Sequence, residues 1–297
     1  MTNSIQAIFI GAIFFYFLDS IWEIGSIFRV EKFSRRVANF LILTGVALHS
    51  AFLIILSIKS RNLPITTLFE SAVFFIFLIV LIAVITKYLY KLPSLTPFVM
   101  TIVTILSIAS IALIRNDLVL SNDLAKFWQI VHIIPIFLGY AAFTVSFILS
   151  IMYLAQERQL KAKNFGSLFY SLPSLETLDT LMWKTITFGF PLLTIGLVSG
   201  TIWAKTSNIL GDLWYLDSKV LLGAFTWLVY AALLHLRLGA SFHGTKVACV
   251  TIGCFIVVLL TFVGPFLMGS KHAYVKNSVK LEQKASPDDV GMAKIEF

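Results

Sequence analysis

Of the five histidines in the sequence, four stand where a water-soluble protein would not place them. His49 and His235 lie inside long apolar runs, and His132 and His272 lie at the ends of two others. A neutral imidazole offers a ring-nitrogen lone pair to iron, and the iron of a porphyrin takes such axial ligands. Two pairs at two membrane depths therefore suit the holding of a flat, apolar, iron-bearing cofactor in two places. Tryptophans gather near the second pair: Trp128 sits one helical turn before His132, and Trp203, Trp214 and Trp227 flank a loop over 205–218. Indole rings cover porphyrin faces by stacking, although the same residues also suit an interfacial aromatic belt.

The deeper pair carries a mismatch. His49 is about 12 residues from the inner end of its run, roughly 18 Å at 1.5 Å per residue. An ionisable group at that depth is costly and is functional or partnered. His235 is about three residues from the inner end of its own run, so one iron shared by both requires tilt of roughly 10 Å in helix rise. Bonding of each ring to a neighbouring helix is the competing reading. His243, in the turn 239–246, reads as a solvated loop residue.

The carboxylates and cations are less specific. Asp19 and Glu23, four apart on one helix face, are expected to meet the basic cluster Arg29, Lys32, Arg35 and Arg36 rather than to do proton chemistry. Glu70 stands where a helix N-terminus favours negative charge. Asp217 and Lys219 border the tryptophan loop and are placed to pair or to meet cofactor propionates, with Arg61 and Lys205 as further cations. Cys249 and Cys254, five apart in an apolar run, read as buried small residues and not as a redox pair. No Walker loop, G-x-S-x-G, H-E-x-x-H or dinucleotide fingerprint occurs, and no catalytic residue can be named.

The elements that position these groups follow from composition. The chain has 297 residues, 58% of them hydrophobic and only 13% charged, with a mean hydropathy of +0.90. Apolar runs near the roughly 20 residues needed to cross a bilayer recur along it. In lipid every backbone polar group must be bonded internally, so these runs are helices. The fold class is all-α, a polytopic membrane protein with about eight transmembrane helices near 4–27, 37–58, 68–86, 97–114, 127–154, 183–204, 219–238 and 247–268. Residues 1–268 form a single transmembrane domain, and 269–297 a polar tail that begins with the external histidine segment. The first run reads as a span, not a cleaved signal peptide. With the N-terminus outside, cytoplasmic connections hold twelve Lys and Arg against six in the outer loops, which follows the positive-inside rule with both termini outside. The net charge of +8 then bears on orientation and lipid, not nucleic acid. The connection 155–184 is expected to be cytoplasmic, with Ser174 capping a short interfacial helix.

At this point the chain resembles the cytochrome c assembly proteins of the CcsA/ResC type. The resemblance rests on Leu48-His49-Ser50, on the stretches 62–71 and 127–132, and on Gly139-Tyr140-Ala141-Ala142. It continues with Trp203, Gly211, Trp214, Asp217 and Lys219, the stretch 227–237 and the stretch 269–274. It implies that His132 and His272 are external ligands of heme b iron and that His49 and His235 are membrane ligands. It also implies that Trp203, Trp214 and Asp217, with Trp128 nearby, belong to a heme-presenting segment. The family's segment has two close tryptophans followed by Asp-Pro-Lys-Glu; here Leu216, Ser218 and Val220 replace the second tryptophan, the proline and the glutamate. That departure leans toward the related HemX-type proteins of tetrapyrrole synthesis, and the four histidines lean back.

The expected function is a heme-handling membrane subunit for c-type cytochrome biogenesis. It would bind heme and present it at the outer face for thioether attachment to apocytochrome c, as part of a holocytochrome c synthase. The implied partners are a ResB/Ccs1-type membrane protein, apocytochrome c, heme and the lipid bilayer, with no nucleic acid. The expected location is a bacterial inner membrane rather than a thylakoid. The alternatives are a HemX-type regulator or scaffold without heme delivery and a small-solute transporter. The lack of an internal repeat and of broken helices counts against the latter.

Overall fold

The computed structural model describes residues 3–28, 35–65, 67–113, 118–119, 126–163, 165–207, 213–239, 242–268 and 275–276. Helices α1 (Asn3–Phe28), α2 (Arg35–Ser60), α3 (Leu68–Leu89) and α4 (Thr96–Ile111) make one half of the bundle. A short turn α5 (Lys126–Trp128) passes through a π-helical turn, Gln129–Ile133, into α6 (Ile134–Lys161). After a short α7 (Ser167–Ser171) come α8 (Leu175–Ser207), α9 (Ser218–Gly239) and α10 (Thr245–Met268). Among the described residues eight helices are long and apolar enough to cross a membrane, and they coincide with the eight apolar runs of the sequence.

Local chemistry sets several boundaries. Thr67 and Glu70 form a reciprocal capping box at the start of α3: the Glu70 N–H donates to Thr67 Oγ1 (3.1 Å) and the Thr67 N–H to Glu70 Oε2 (3.2 Å). Glu70 thus does the N-terminal work its position suggested. The Thr177 N–H donates to Ser174 Oγ (3.2 Å), so Ser174 caps a helix as expected. That helix is not a separate interfacial one: it is the start of α8, which runs 33 residues to Ser207. Likewise α6 continues to Lys161, so the connection expected over 155–184 shrinks to 162–174. Both helices project polar turns beyond the apolar run, where backbone bonding persists without lipid. Pro191 sits inside α8.

Helix α1 packs between α2 and α4, and α4 against α3. Gly45 of α2 permits the close approach of α1, since a Cβ there would lie 2.7 Å from Tyr16 Cε1. In the other half α6 packs along α8 and α10, and α9 along α10 and α8. Glycines again let backbones meet: a Cβ on Gly139 would lie 3.0 Å from the Gly189 carbonyl oxygen. Such small-residue seams are the usual way for helices to associate in lipid, where apolar burial drives nothing. The Phe143 and Tyr230 rings stack at 3.6 Å and 9° between α6 and α9. The halves meet where α3 lies along α6.

One antiparallel pair of two-residue strands, β1 (Leu118–Val119) and β2 (Val275–Lys276), matches Leu118 with Lys276 and Val119 with Val275. It ties the chain after α10 to the segment before α5. Both therefore belong to the end of the bundle where α3, α6 and α9 begin.

Candidate functional site

That end of the bundle holds a cavity with about 1200 Å3 of empty space, its open mouth included. Five spans contribute to its wall: α3 through Ser71, α6 through Tyr140 and, in the π-helical turn that leads into it, His132, α8 through Gly200, α9 through Lys219, and α10 through Phe262. Trp214, from the turn before α9, closes it from above. Most of the lining is apolar, with one imidazole, one indole and one ammonium as its main specific groups.

His132 is fixed by a hydrogen bond and by packing on a glycine. It lies in the π-helical turn, a distortion that recurs at functional positions because the wider turn re-aims side chains. Its Nδ1 is 2.7 Å from the carbonyl oxygen of Gly196. A carbonyl can only accept, so Nδ1 carries the proton and donates, and Nε2 keeps its lone pair. The ring rests on Gly200, where any Cβ would overlap it. Ser199 Oγ donates to the Val131 carbonyl (3.0 Å), supplying a partner in a turn that π-geometry loosens. A fixed tautomer with a free Nε2 is the condition for an iron ligand, so the residues present fit that chemistry at this cavity.

The other residues singled out from sequence fall in several places. Trp214 and Lys219 line the cavity with His132. Asp217 Oδ1 accepts the Lys219 N–H at 2.9 Å, so it stabilises the start of α9 and fixes where Lys219 leaves the helix. Trp203 is buried on α8 beside Ala204, a lining residue. Trp128 faces a separate apolar groove with Val131, Thr194 and Val198. Trp227 donates from Nε1 to Thr194 Oγ1 (2.9 Å) and lies against Phe190, away from the cavity wall. His272 and Gly211 lie outside the described residues.

His49 is fully buried on α2, amid the rings of Phe9, Tyr16 and Phe77. Its Nδ1 is 3.3 Å from Tyr16 Oη, and its Nε2 has no hydrogen-bond partner among the described residues. An unpaired ring nitrogen in a fully buried, aromatic surround fits a ligand position as well. His235 is exposed on α9. The fold does not bring these two together: α2 packs on α1 and α3, and α9 on α8 and α10. His243 is exposed in its turn. Cys254 is buried and Cys249 exposed, both as free thiols.

Glu23 is buried and pairs with Lys87 from α3 at 3.2 Å, both side chains under 10% exposed, and Arg35 and Arg36 of the expected cluster are exposed. Arg29 and Lys32 of that cluster lie outside the described residues. Sequence reasoning also missed Gly196 and Gly200. Their G-x-x-x-G spacing is the legible signal, since it marks a surface that another helix or ring approaches closely.

The cytochrome C assembly protein family matches residues 30–271. A cytochrome c biogenesis protein CcsA from Prochlorococcus marinus subsp. pastoris is 32% identical over 293 residues, covering 90% of this chain and 92% of that protein. One from Guillardia theta is 35% identical over 163 residues, 50% of this chain and 54% of its own length. One from Synechococcus sp. (strain CC9902) is 35% identical over 173 residues, 51% and 56% of the two. The alignments to these last two thus span about half of each relative, and the first nearly all of it. The chain belongs to the cytochrome c assembly protein family.

Proposed function

We propose that the protein takes heme through the membrane and presents it at the cavity end of the bundle for attachment to apocytochrome c. The single observation that carries the reading is the cavity itself: it gathers an imidazole with a free Nε2, an indole and a lysine ammonium at one open end of the bundle. In this reading heme b is the cargo. His132 ligates its iron on one face, and His272 on the other. Trp214 covers a porphyrin face, and Lys219 meets a propionate through a charge-assisted hydrogen bond. His49, whose Nε2 has no hydrogen-bond partner among the described residues, ligates the cargo at mid-membrane.

The porphyrin vinyl groups and the cysteine thiols of the apocytochrome supply the bond chemistry, each S–H adding across a C=C to give a thioether. The chain's own residues orient and shield. Gly196 holds the tautomer of His132, Asp217 sets the exit of Lys219, and the apolar wall from α3, α8 and α10 excludes water. The cavity end is the outer side, following the lysine and arginine distribution, with both termini there. A ResB/Ccs1-type partner completes the synthase in a bacterial inner membrane. The names of the full-length relatives favour this over a HemX-type role.

The test is the absorption spectrum of purified protein carrying His132→Ala and His272→Ala together, with cytochrome c maturation measured in the same cells. The expected result is loss of the bis-histidine spectrum of the outer site and loss of maturation. An unchanged spectrum with unchanged maturation overturns the proposal.

A further inference from the structure

The buried face of α1 is apolar in its first half, with Ile5, Phe9, Ala12 and Ile13, and polar in its second. Tyr16, Asp19, Ser20 and Glu23 recur at helical spacing and are 0%, 0%, 6% and 6% exposed. They face the interior of the first half, between α2 and α4. Ser20 Oγ and Thr101 Oγ1 of α4 lie 2.9 Å apart, and the Lys87 ammonium of α3 donates to Glu23 Oε1. Lys87 is two residues from the end of α3, so the pair sits near the end of the bundle opposite the cavity. Asp19 lies one turn further in. Among the described residues neither of its carboxyl oxygens has a hydrogen-bond partner.

A carboxylate stripped of water and of partners is among the most expensive groups a membrane interior can hold. Lys87 is a single positive charge, and its ammonium is engaged by Glu23. Two ionised carboxylates against one ammonium would leave a net buried negative charge; one proton on the pair removes it. Among the described residues the other elements packed on α1 supply no second cation; Arg29 and Lys32, which follow α1 in sequence, lie outside them. From α2 comes His49, which lies beyond Tyr16, while Arg35 and Arg36 are exposed. Helix α4 brings only hydroxyls and apolar groups, and α7 contains no charged residue.

We propose that Asp19, with the Glu23–Lys87 pair, is an intramembrane proton-exchange site that communicates with the end of the bundle opposite the cavity. The proton resides on Asp19 while Glu23 stays paired with Lys87. It leaves by transfer from the Asp19 carboxyl to the Glu23 carboxylate one turn away, and from there to water at the helix ends. The reverse path reloads it. The site cycles between a neutral and a singly negative state, so positive charge arriving in the adjoining interior releases the proton and its loss restores it. This stands whether or not His49 ligates iron.

The experiment is infrared spectroscopy of the full-length protein in lipid nanodiscs at pH 7, in H2O and in D2O, without added heme. The expected result is a carboxylic-acid carbonyl band that shifts on transfer to D2O and is absent from Asp19→Asn. In Lys87→Met a second acid band is expected, because Glu23 loses its countercharge and takes up a proton. Should Asp19→Asn fail to fold, wild-type protein labelled with 13C at the aspartate side-chain carboxyl serves instead, and the band must move with the label. No aspartate-derived acid band at pH 7, or a band that ignores D2O over hours, overturns the proposal.

Discussion

A hydrogen atom at Gly200 is what lets His132 occupy its seat. The ring lies over that position, and no larger residue leaves room for it. Gly200→Ala must therefore displace the imidazole, break its bond to the Gly196 carbonyl, or spread α6 from α8, at a cost of about 1–3 kcal/mol for such overpacking. The expected outcome is a folded protein with a lowered melting midpoint and an altered outer-site heme spectrum. Gly253→Ala, where a Cβ meets nothing within 4 Å, leaves both unchanged. An unaltered spectrum in Gly200→Ala would show that the ring's position does not depend on this seat. At this scale the sequence was partly legible. Histidine in an apolar run is conspicuous because burial of an ionisable ring needs a reason. The partner of Glu23 was not legible, since spacing along one helix says nothing of Lys87 arriving from another 64 residues away. Proximity in sequence pointed only to the basic cluster that follows α1.

Apolar runs named the helices because lipid leaves the backbone no alternative. They misjudged the ends of α6 and α8, because polar turns continue a helix once it has formed and hydropathy does not register them. The extended ends carry a latch. Arg237 of α9 donates to both oxygens of Asp179 of α8 at 2.8 and 2.5 Å, and the Gly244 N–H before α10 donates to Asp179 Oδ1 at 3.1 Å. The guanidinium also lies 5.3 Å from the centroid of the Trp183 ring. A nearby second contact joins Thr245 to Glu157 of α6, which also pairs with Lys161. Asp179→Asn keeps the shape and removes the charge, leaving Arg237 short of its partner. The expected loss is about 1–3 kcal/mol of stability, read as a lower melting midpoint in detergent with the outer-site spectrum retained. No change in the midpoint would mean that α9 and α10 are held at this end by packing alone.

The whole molecule consists of two four-helix halves that meet where α3 lies along α6. The cavity is built at that junction, from α3 on one side and α6, α8, α9 and α10 on the other. The buried polar face of α1 and His49 belong to the first half, and His235 to the second. Relative depth explains part of their separation: His49 lies about 21 Å in helix rise from the start of α2 and His235 about 6 Å from the end of α9. Helix number and membrane class were readable from the chain. The cavity was not, because it arises from five spans whose neighbours only the tertiary packing defines.

The central claim is that this packing exists to hold an iron porphyrin, and pigment tests it most directly. Protein purified from heme-replete cells in mild detergent is predicted to carry heme b with a low-spin, bis-histidine absorption spectrum. A colourless preparation, from cells whose c-type cytochromes mature normally without the protein, would contradict it.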